Sequence, residues 1–211
     1  MEASFWHKRW ENHEIAFHEK QTNPLLIKYF PSLDLENGKR IFIPLCGKSL
    51  DIAWFLSEGY QVVGAELSKI AIDHLFQGLG EKPNIKKLDE GLEHYSAESI
   101  DIFVGDLFHL TKAILGSVDA IYDRAALVAL PKEMRNQYTK HLTTLTENAA
   151  QLLICYQYDQ SKMDGPPFSI SNDEVREHYE SKYILNLLAS EPVPGGLKKH
   201  SAIENVWLLK K

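Results

Sequence analysis

Five short apolar runs recur along this chain, at residues 40–45, 61–66, 100–106, 118–123 and 151–156. They are continuous rather than alternating, the pattern of strands buried on both faces. Segments with helical patterning separate most of them. Strands interleaved with helices in this way predict an α/β sandwich around a mostly parallel sheet. Ser49 and Ser68 stand where N-caps would open the helices after the first two strands, and Gly59 closes the first helix. Further helices are expected over 131–147 and from a cap at Asn172 or Asp173 to about Ser181. Residues 183–189 and 203–210 read as two final strands with no helix between them, hence an antiparallel hairpin at one edge. The expected sheet has seven strands, and the less regular stretch 78–99 reads as a loop with a short hairpin. Ahead of the first strand, residues 1–30 read as amphipathic helix. Trp6 and Trp10 share a face, Phe17, Leu26 and Phe30 continue it, and Pro31 and Asn37-Gly38 break it.

With 211 residues, the chain suits one domain, read here as helices over 1–35 covering a core over 36–211. Hydrophobic residues at 44% and charged residues at 25% exclude wholesale disorder, collagen and coiled coil. The longest apolar run, Ala125 to Leu130, is far short of the ~20 residues of a membrane span. The start, Met1-Glu-Ala-Ser-Phe-Trp-His-Lys-Arg-Trp10, puts charges where a signal peptide needs an apolar stretch. A net charge of −6 without a basic stripe argues against nucleic acid or an anionic membrane as partner. Two cysteines, Cys46 and Cys155, make no disulfide framework and read as buried small hydrophobes in a reducing cytoplasm. Nothing calls for more than a monomer.

In such a sheet, ligands bind beyond the carboxyl ends of the strands, where strand order reverses. The first strand ends at Leu45-Cys46-Gly47-Lys48, the second at Glu66, the third at Asp106-Leu107 and the fourth at Asp123-Arg124. Gly47-Lys48-Ser49 suggests a phosphate-binding loop, but position 42, where that loop needs glycine, is Phe. A dinucleotide fingerprint fails too, because Gly47 stands alone where three glycines are required. An adenosine ligand without phosphates meets neither objection. Glu66 can accept two bonds from ribose hydroxyls, and Asp106 can accept an adenine amino proton. Acids on three consecutive strand ends also suit a sulfonium cation, and S-adenosylmethionine combines these features.

Several motifs now fall into order: Trp6-x3-Trp10, Ala16-Phe17-His18, Pro44-Leu-Cys-Gly-Lys-Ser49, Val63-Gly-Ala-Glu-Leu-Ser68, Asp123-Arg-Ala-Ala-Leu-Val-Ala129 and Gly165-Pro-Pro-Phe168. Together they resemble the thiopurine S-methyltransferase family over residues 5 to 168. Plant-type thiol and halide methyltransferases carry a Gly-Cys-Gly-Thr-Gly turn at the first strand end, which this chain lacks. The resemblance implies a class I methyltransferase (Rossmann-like) fold with an N-terminal lid, and methylation of aromatic and heterocyclic thiols by S-adenosylmethionine, leaving S-adenosylhomocysteine. It places Trp10, Leu45, Glu66 and Arg124 on the cofactor, with Trp6, Asp106 and Leu107 close by and Phe17 facing the thiol acceptor. Beyond residue 190 it thins, and Lys198 and Lys199 are the basic residues on offer to the acceptor there.

The implied reaction is an in-line displacement in which a thiolate and a sulfonium lose their charges. Excluding water favours that change, and Trp6, Trp10 and Phe17 on a lid would exclude it. Heteroaromatic thiols ionise readily and need no strong base. Arg124 can favour an anionic acceptor or hold the cofactor carboxylate, and Asp123 can act as a general base or orient Arg124. His13 and His18 stand five apart without a His-Glu-x-x-His pattern, so no metal site is expected. Lys48 reads as a surface residue at a helix start. Methylation of selenium or tellurium compounds, and non-catalytic binding of S-adenosylmethionine, are the alternative functions.

Overall fold

The computed structural model describes residues 3–211; the first two residues of the expected lid lie outside them. Nine strands form one sheet in the order β3-β4-β5-β2-β1-β6-β7-β9-β8. Its centre is parallel: β5 (Ile100–Val104), β2 (Gln61–Glu66), β1 (Arg40–Pro44), β6 (Ala120–Arg124) and β7 (Ala150–Tyr158). The antiparallel hairpin of β8 (Ile184–Pro192) and β9 (Ala202–Lys210) closes one edge, as expected. The seven-strand expectation falls short by two. Residues 78–99 carry β3 (Asn84–Lys87) and β4 (Glu93–Ala97), and β4 pairs antiparallel with β5, so this hairpin extends the opposite edge. All four residues of β3 are exposed, so no buried apolar run marks it in the sequence.

Alternation along the central strands divides the core between the two faces. Ile41, Ile43, Val62 and Ile102 face α2 (Pro24–Tyr29), α3 (Leu50–Ser57) and α4 (Lys69–Leu79), where Leu26, Ile52, Phe55 and Ile72 are fully buried. Phe42, Val63, Phe103, Ile121 and Leu153 face α5 (Lys112–Leu115), α6 (Lys132–Leu145) and α7 (Asn172–Tyr179), which contribute Leu115, Tyr138, Leu142 and Val175. Ser49 and Ser68 cap α3 and α4, accepting from the N–H groups of Asp51 and Ala71. Ser171 caps α7, one residue before the expected cap; Asn172 is already helical.

The N-terminal region is broken. α1 (Ala3–Glu11) stops where His13 takes a φ of +56°. The chain then runs irregularly until Asn23, whose buried side chain accepts from the N–H groups of Leu25 and Leu26, with Pro24 as first helical residue of α2. Phe17 therefore sits in a turn between two helices rather than on the helix bearing Trp6 and Trp10.

Candidate active site

Strand order reverses at β1. From it the chain builds β2 and β5 on one side, then β6 and β7 on the other. At the carboxyl ends of these strands lies a cavity of about 450 Å³, within the size range of small-molecule sites. Its lining includes Trp6, Trp10, Phe17, Leu45, Glu66, Asp106, Leu107 and Arg124, so residues spread over 119 positions of sequence meet at one place.

The turn after β1 is the tightest part. Leu45 has a φ of +47° and Gly47 one of +52°. A Cβ on Gly47 would stand 3.3 Å from Cζ2 of Trp10, a buried ring lying against the turn. Glu66, only 6% exposed, closes the turn from β2. Its Oε2 accepts from the Gly47 N–H at 2.9 Å and its Oε1 from the Ser68 N–H at 2.8 Å. Burial pushes its pKa up, and the N–H groups of Ser68, Gly47 and Leu67 oppose the rise. Each carboxylate oxygen can accept one more bond. At the end of β5, Asp106 is exposed and accepts from the Phe108 N–H at 2.9 Å, while Leu107 is buried.

Aromatic rings from the N-terminal region cover this turn. Phe17 meets Trp6 and Trp10 edge-on, with centroids 5.8 Å and 5.5 Å apart. His18, beside it, also lines the cavity, and burial, then Lys48, lowers its pKa. Lys48, half-buried just ahead of the cap of α3, borders the cavity as well. Met163, Pro166, Pro167 and Leu197 add apolar wall, and Arg9 and Lys198 add further cations.

Arg124, at the end of β6, is nearly buried and donates from Nη2 to Oε1 of Glu19 at 3.1 Å. Burial works against its charge, but Tyr156, Tyr122, Asp51 and Glu19 outweigh that and raise its pKa. Asp123 is placed differently from the expectation of a catalytic group. It is fully buried and does not line the cavity. Its Oδ2 accepts from the Tyr138 hydroxyl at 2.6 Å and its Oδ1 from the Leu127 N–H at 3.2 Å. Asp123 and Arg124 face opposite sides of the sheet, and on its side Asp123 is covered by Tyr138 and the turn at Leu127.

Tyr122, Tyr138 and Tyr156 line the cavity and escaped the sequence reading. Tyr156 stands at the end of the fifth apolar run, where the strand-end rule would have found it. Cys46 and Cys155 are buried free thiols, as expected. Among the described residues, no group of three or more His, Cys, Asp or Glu could hold a metal ion.

This donor set suits an adenosine ligand. A buried carboxylate with spare lone pairs flanks a glycine turn, apolar rings lie over it, and no nest of main-chain N–H groups awaits a phosphate because Glu66 already occupies the Gly47 N–H.

A family model described as thiopurine S-methyltransferase matches residues 1–210. A thiopurine S-methyltransferase of Xanthobacter autotrophicus is 50% identical over the whole of both chains. Another, of Teredinibacter turnerae, is 48% identical over all of this chain and 98% of its own. Among solved structures, the 1,6-didemethyltoxoflavin-N1-methyltransferase of Burkholderia thailandensis, with S-adenosylhomocysteine bound, superposes with a TM-score of 0.67 at 14% identity, covering 99% of this chain and 87% of that one. The magnesium protoporphyrin IX methyltransferase of Synechocystis, also bound to S-adenosylhomocysteine, gives 0.67 at 12% identity over the whole of both. At such identities these two establish the class I methyltransferase fold alone. The family model and the Xanthobacter and Teredinibacter relatives place this chain in the thiopurine S-methyltransferase family.

Proposed function

We propose that this protein methylates the sulfur of small aromatic and heterocyclic thiols, thiopurines among them, using S-adenosylmethionine. One observation carries the reading: Glu66, buried against the Gly47 turn, shares a cavity with the Trp6, Trp10 and Phe17 rings and the Arg124 cation. When bound, S-adenosylmethionine supplies an electrophilic methyl group on a sulfonium centre. Glu66 would accept the ribose hydroxyls, Leu45 and Leu107 would pack on apolar faces, and Asp106 would take the adenine amino group. Trp6, Trp10 and Phe17 would exclude water, which favours a step in which opposite charges vanish. Positioning of the acceptor against the donor accounts for much of the remaining acceleration.

Arg124 is the cation best placed to favour the ionised acceptor. Asp123, engaged by Tyr138 and Leu127, is read as a positioning residue that holds the turn after β6, with the acceptor's own acidity supplying the thiolate. Residues 3–35 are read as a lid over a core that begins at residue 36, and the protein as a cytoplasmic monomer. A net charge of −6 supports a small-molecule acceptor over nucleic acid or anionic membrane. The test is transfer of radiolabelled methyl from S-adenosylmethionine to a panel of aromatic thiols. Transfer to none of them, nor to any selenium or tellurium compound, would overturn the proposal.

A further inference from the structure

Arg124 does not meet the cavity as a bare cation. Glu19, from the irregular segment between α1 and α2, crosses to it with Oε1 3.1 Å from Nη2. The guanidinium side is nearly buried, 11% exposed, while the Glu19 side chain is 53% exposed and so stands where the cavity opens to solvent. Two more carboxylates act on the same cation: Asp51, buried on α3, and Glu204, half-buried on β9. Asp51 already accepts from the Asn23 N–H at 2.8 Å and the Tyr122 hydroxyl at 2.9 Å, so it is fixed in the wall. Asp51 and Glu19 both line the cavity, but of the three carboxylates only Glu19 is exposed at its opening and belongs to the segment that carries Phe17.

An acceptor entering beside Phe17 therefore meets a neutralised pair. A ring whose one ionisable group is its thiol can approach Arg124 from within. A ring carrying a further carboxylate must compete with Glu19 for the guanidinium or sit beside a like charge. We infer that Glu19 is a specificity-determining residue, selecting aromatic thiols without an additional carboxylate over those that carry one. This rests on the thiol-methylation reading above. Arg9, Lys48 and Lys198 also line the cavity, and their contribution cancels when Glu19 alone is changed.

The test compares the wild type with Glu19→Gln and Glu19→Asp on a matched pair, 4-mercaptobenzoate and 4-methylbenzenethiol. In Glu19→Gln the ratio of kcat/KM, carboxylated over neutral, should rise roughly three- to tenfold, the range for one half-exposed charge a few ångströms away. The change should lie in KM for the carboxylated thiol, and Glu19→Asp should stay nearer the wild-type ratio. A second arm measures binding of the two S-methylated products by tryptophan fluorescence in the presence of S-adenosylhomocysteine, and needs no turnover. There the affinity ratio should move in the same direction. An unchanged ratio in both arms overturns the inference. So does an equal loss for both ligands together with weaker S-adenosylhomocysteine binding, which would assign Glu19 to the cofactor. Should the wild type methylate neither these thiols nor any other acceptor of the panel above, the functional reading fails, while the product-binding arm still decides the role of Glu19.

Discussion

Replacing Glu66 with Gln and with Ala separates what this carboxylate does for the fold from what it does for the cofactor. Its oxygens accept from the N–H groups of Gly47 and Ser68 at 2.9 and 2.8 Å. The Ala variant strands both donors, at about 1–3 kcal/mol each. Gly47 is half-buried and water can reach its N–H, so the lower half of that range applies, about 2–4 kcal/mol in all. For a chain of this size that is a fall in Tm of about 5–15 °C. Gln keeps one acceptor oxygen and relieves the burial of a charge, so its Tm should fall by only a few degrees. Toward a ribose the two variants converge, because the charge-assisted bonds disappear in both. A loss of about 1–3 kcal/mol corresponds to S-adenosylhomocysteine binding about 5- to 150-fold weaker. Titration calorimetry, with melting curves recorded with and without S-adenosylhomocysteine, measures both quantities. A Gln variant that binds S-adenosylhomocysteine as tightly as the wild type would refute the ribose assignment, whatever happens to the Tm.

Three further outcomes follow from packing and charge elsewhere in the site. In Gly64→Ala the new Cβ would stand 2.7 Å from Cδ1 of Ile102 and 2.9 Å from Sγ of Cys46, so overpacking should cost about 1–3 kcal/mol in chemical denaturation; a variant as stable as the wild type would mean both side chains move aside freely. Burial pushes the Asp123 carboxyl up from its usual 3.8 to about 6. Between these values the folded state holds a proton that the unfolded state has released, so stability falls as pH rises from about 4 to about 6. Relative to Asp123→Asn, the wild type should lose up to about 3 kcal/mol across that window, and parallel Tm-against-pH curves would contradict the placement. Burial raises both thiol pKa values, so Cys46 and Cys155 should react slowly with Ellman's reagent in the native protein and rapidly in denaturant; a fast native thiol would show that one of them reaches solvent.

The strand ends were the legible part of the chain. Buried parallel strands advertise themselves as short apolar runs, and Glu66, Asp106 and Arg124 follow such runs directly, so rule-based reading reaches them without coordinates. Ser49 and Ser68 were legible for a similar reason, since a cap needs only a local hydroxyl ahead of an apolar helix. What stayed hidden depends on pairing across distance. The hairpin expected within 78–99 is present, but its joining the main sheet rests on β4 pairing with β5, and the exposed β3 carries no apolar run to signal it. Phe17 is visible as an aromatic residue, but its position in a turn follows from Asn23 and Pro24 starting a new helix. Asp123 and Arg124 look alike as strand-end residues, and only the alternation of β6 together with the cover of Asp123 by Tyr138 separates the one behind the cavity from the one in it.

Backbone strain explains why the cavity opens between these strands. Leu45 and Ala125, immediately after β1 and β6, have φ values of +47° and +67°, and both line the cavity. Non-glycine residues in that region cost about 1–3 kcal/mol each and persist where the surrounding structure compels them. The compulsion here is topological. β1 leads to α3 on one face of the sheet and β6 leads toward α6 on the other, so two neighbouring strands must turn in opposite directions within a residue or two. The Cys46 N–H bonding to the Ala65 carbonyl at 3.0 Å, and the Leu127 N–H bonding to Asp123, hold the two turns in place. Asp123 thus acts on the cavity by fixing the backbone that carries Arg124 and Ala125. A strained, hydrogen-bonded turn on each side of the crevice gives rigid walls of fixed separation, the condition for holding a donor and an acceptor in line.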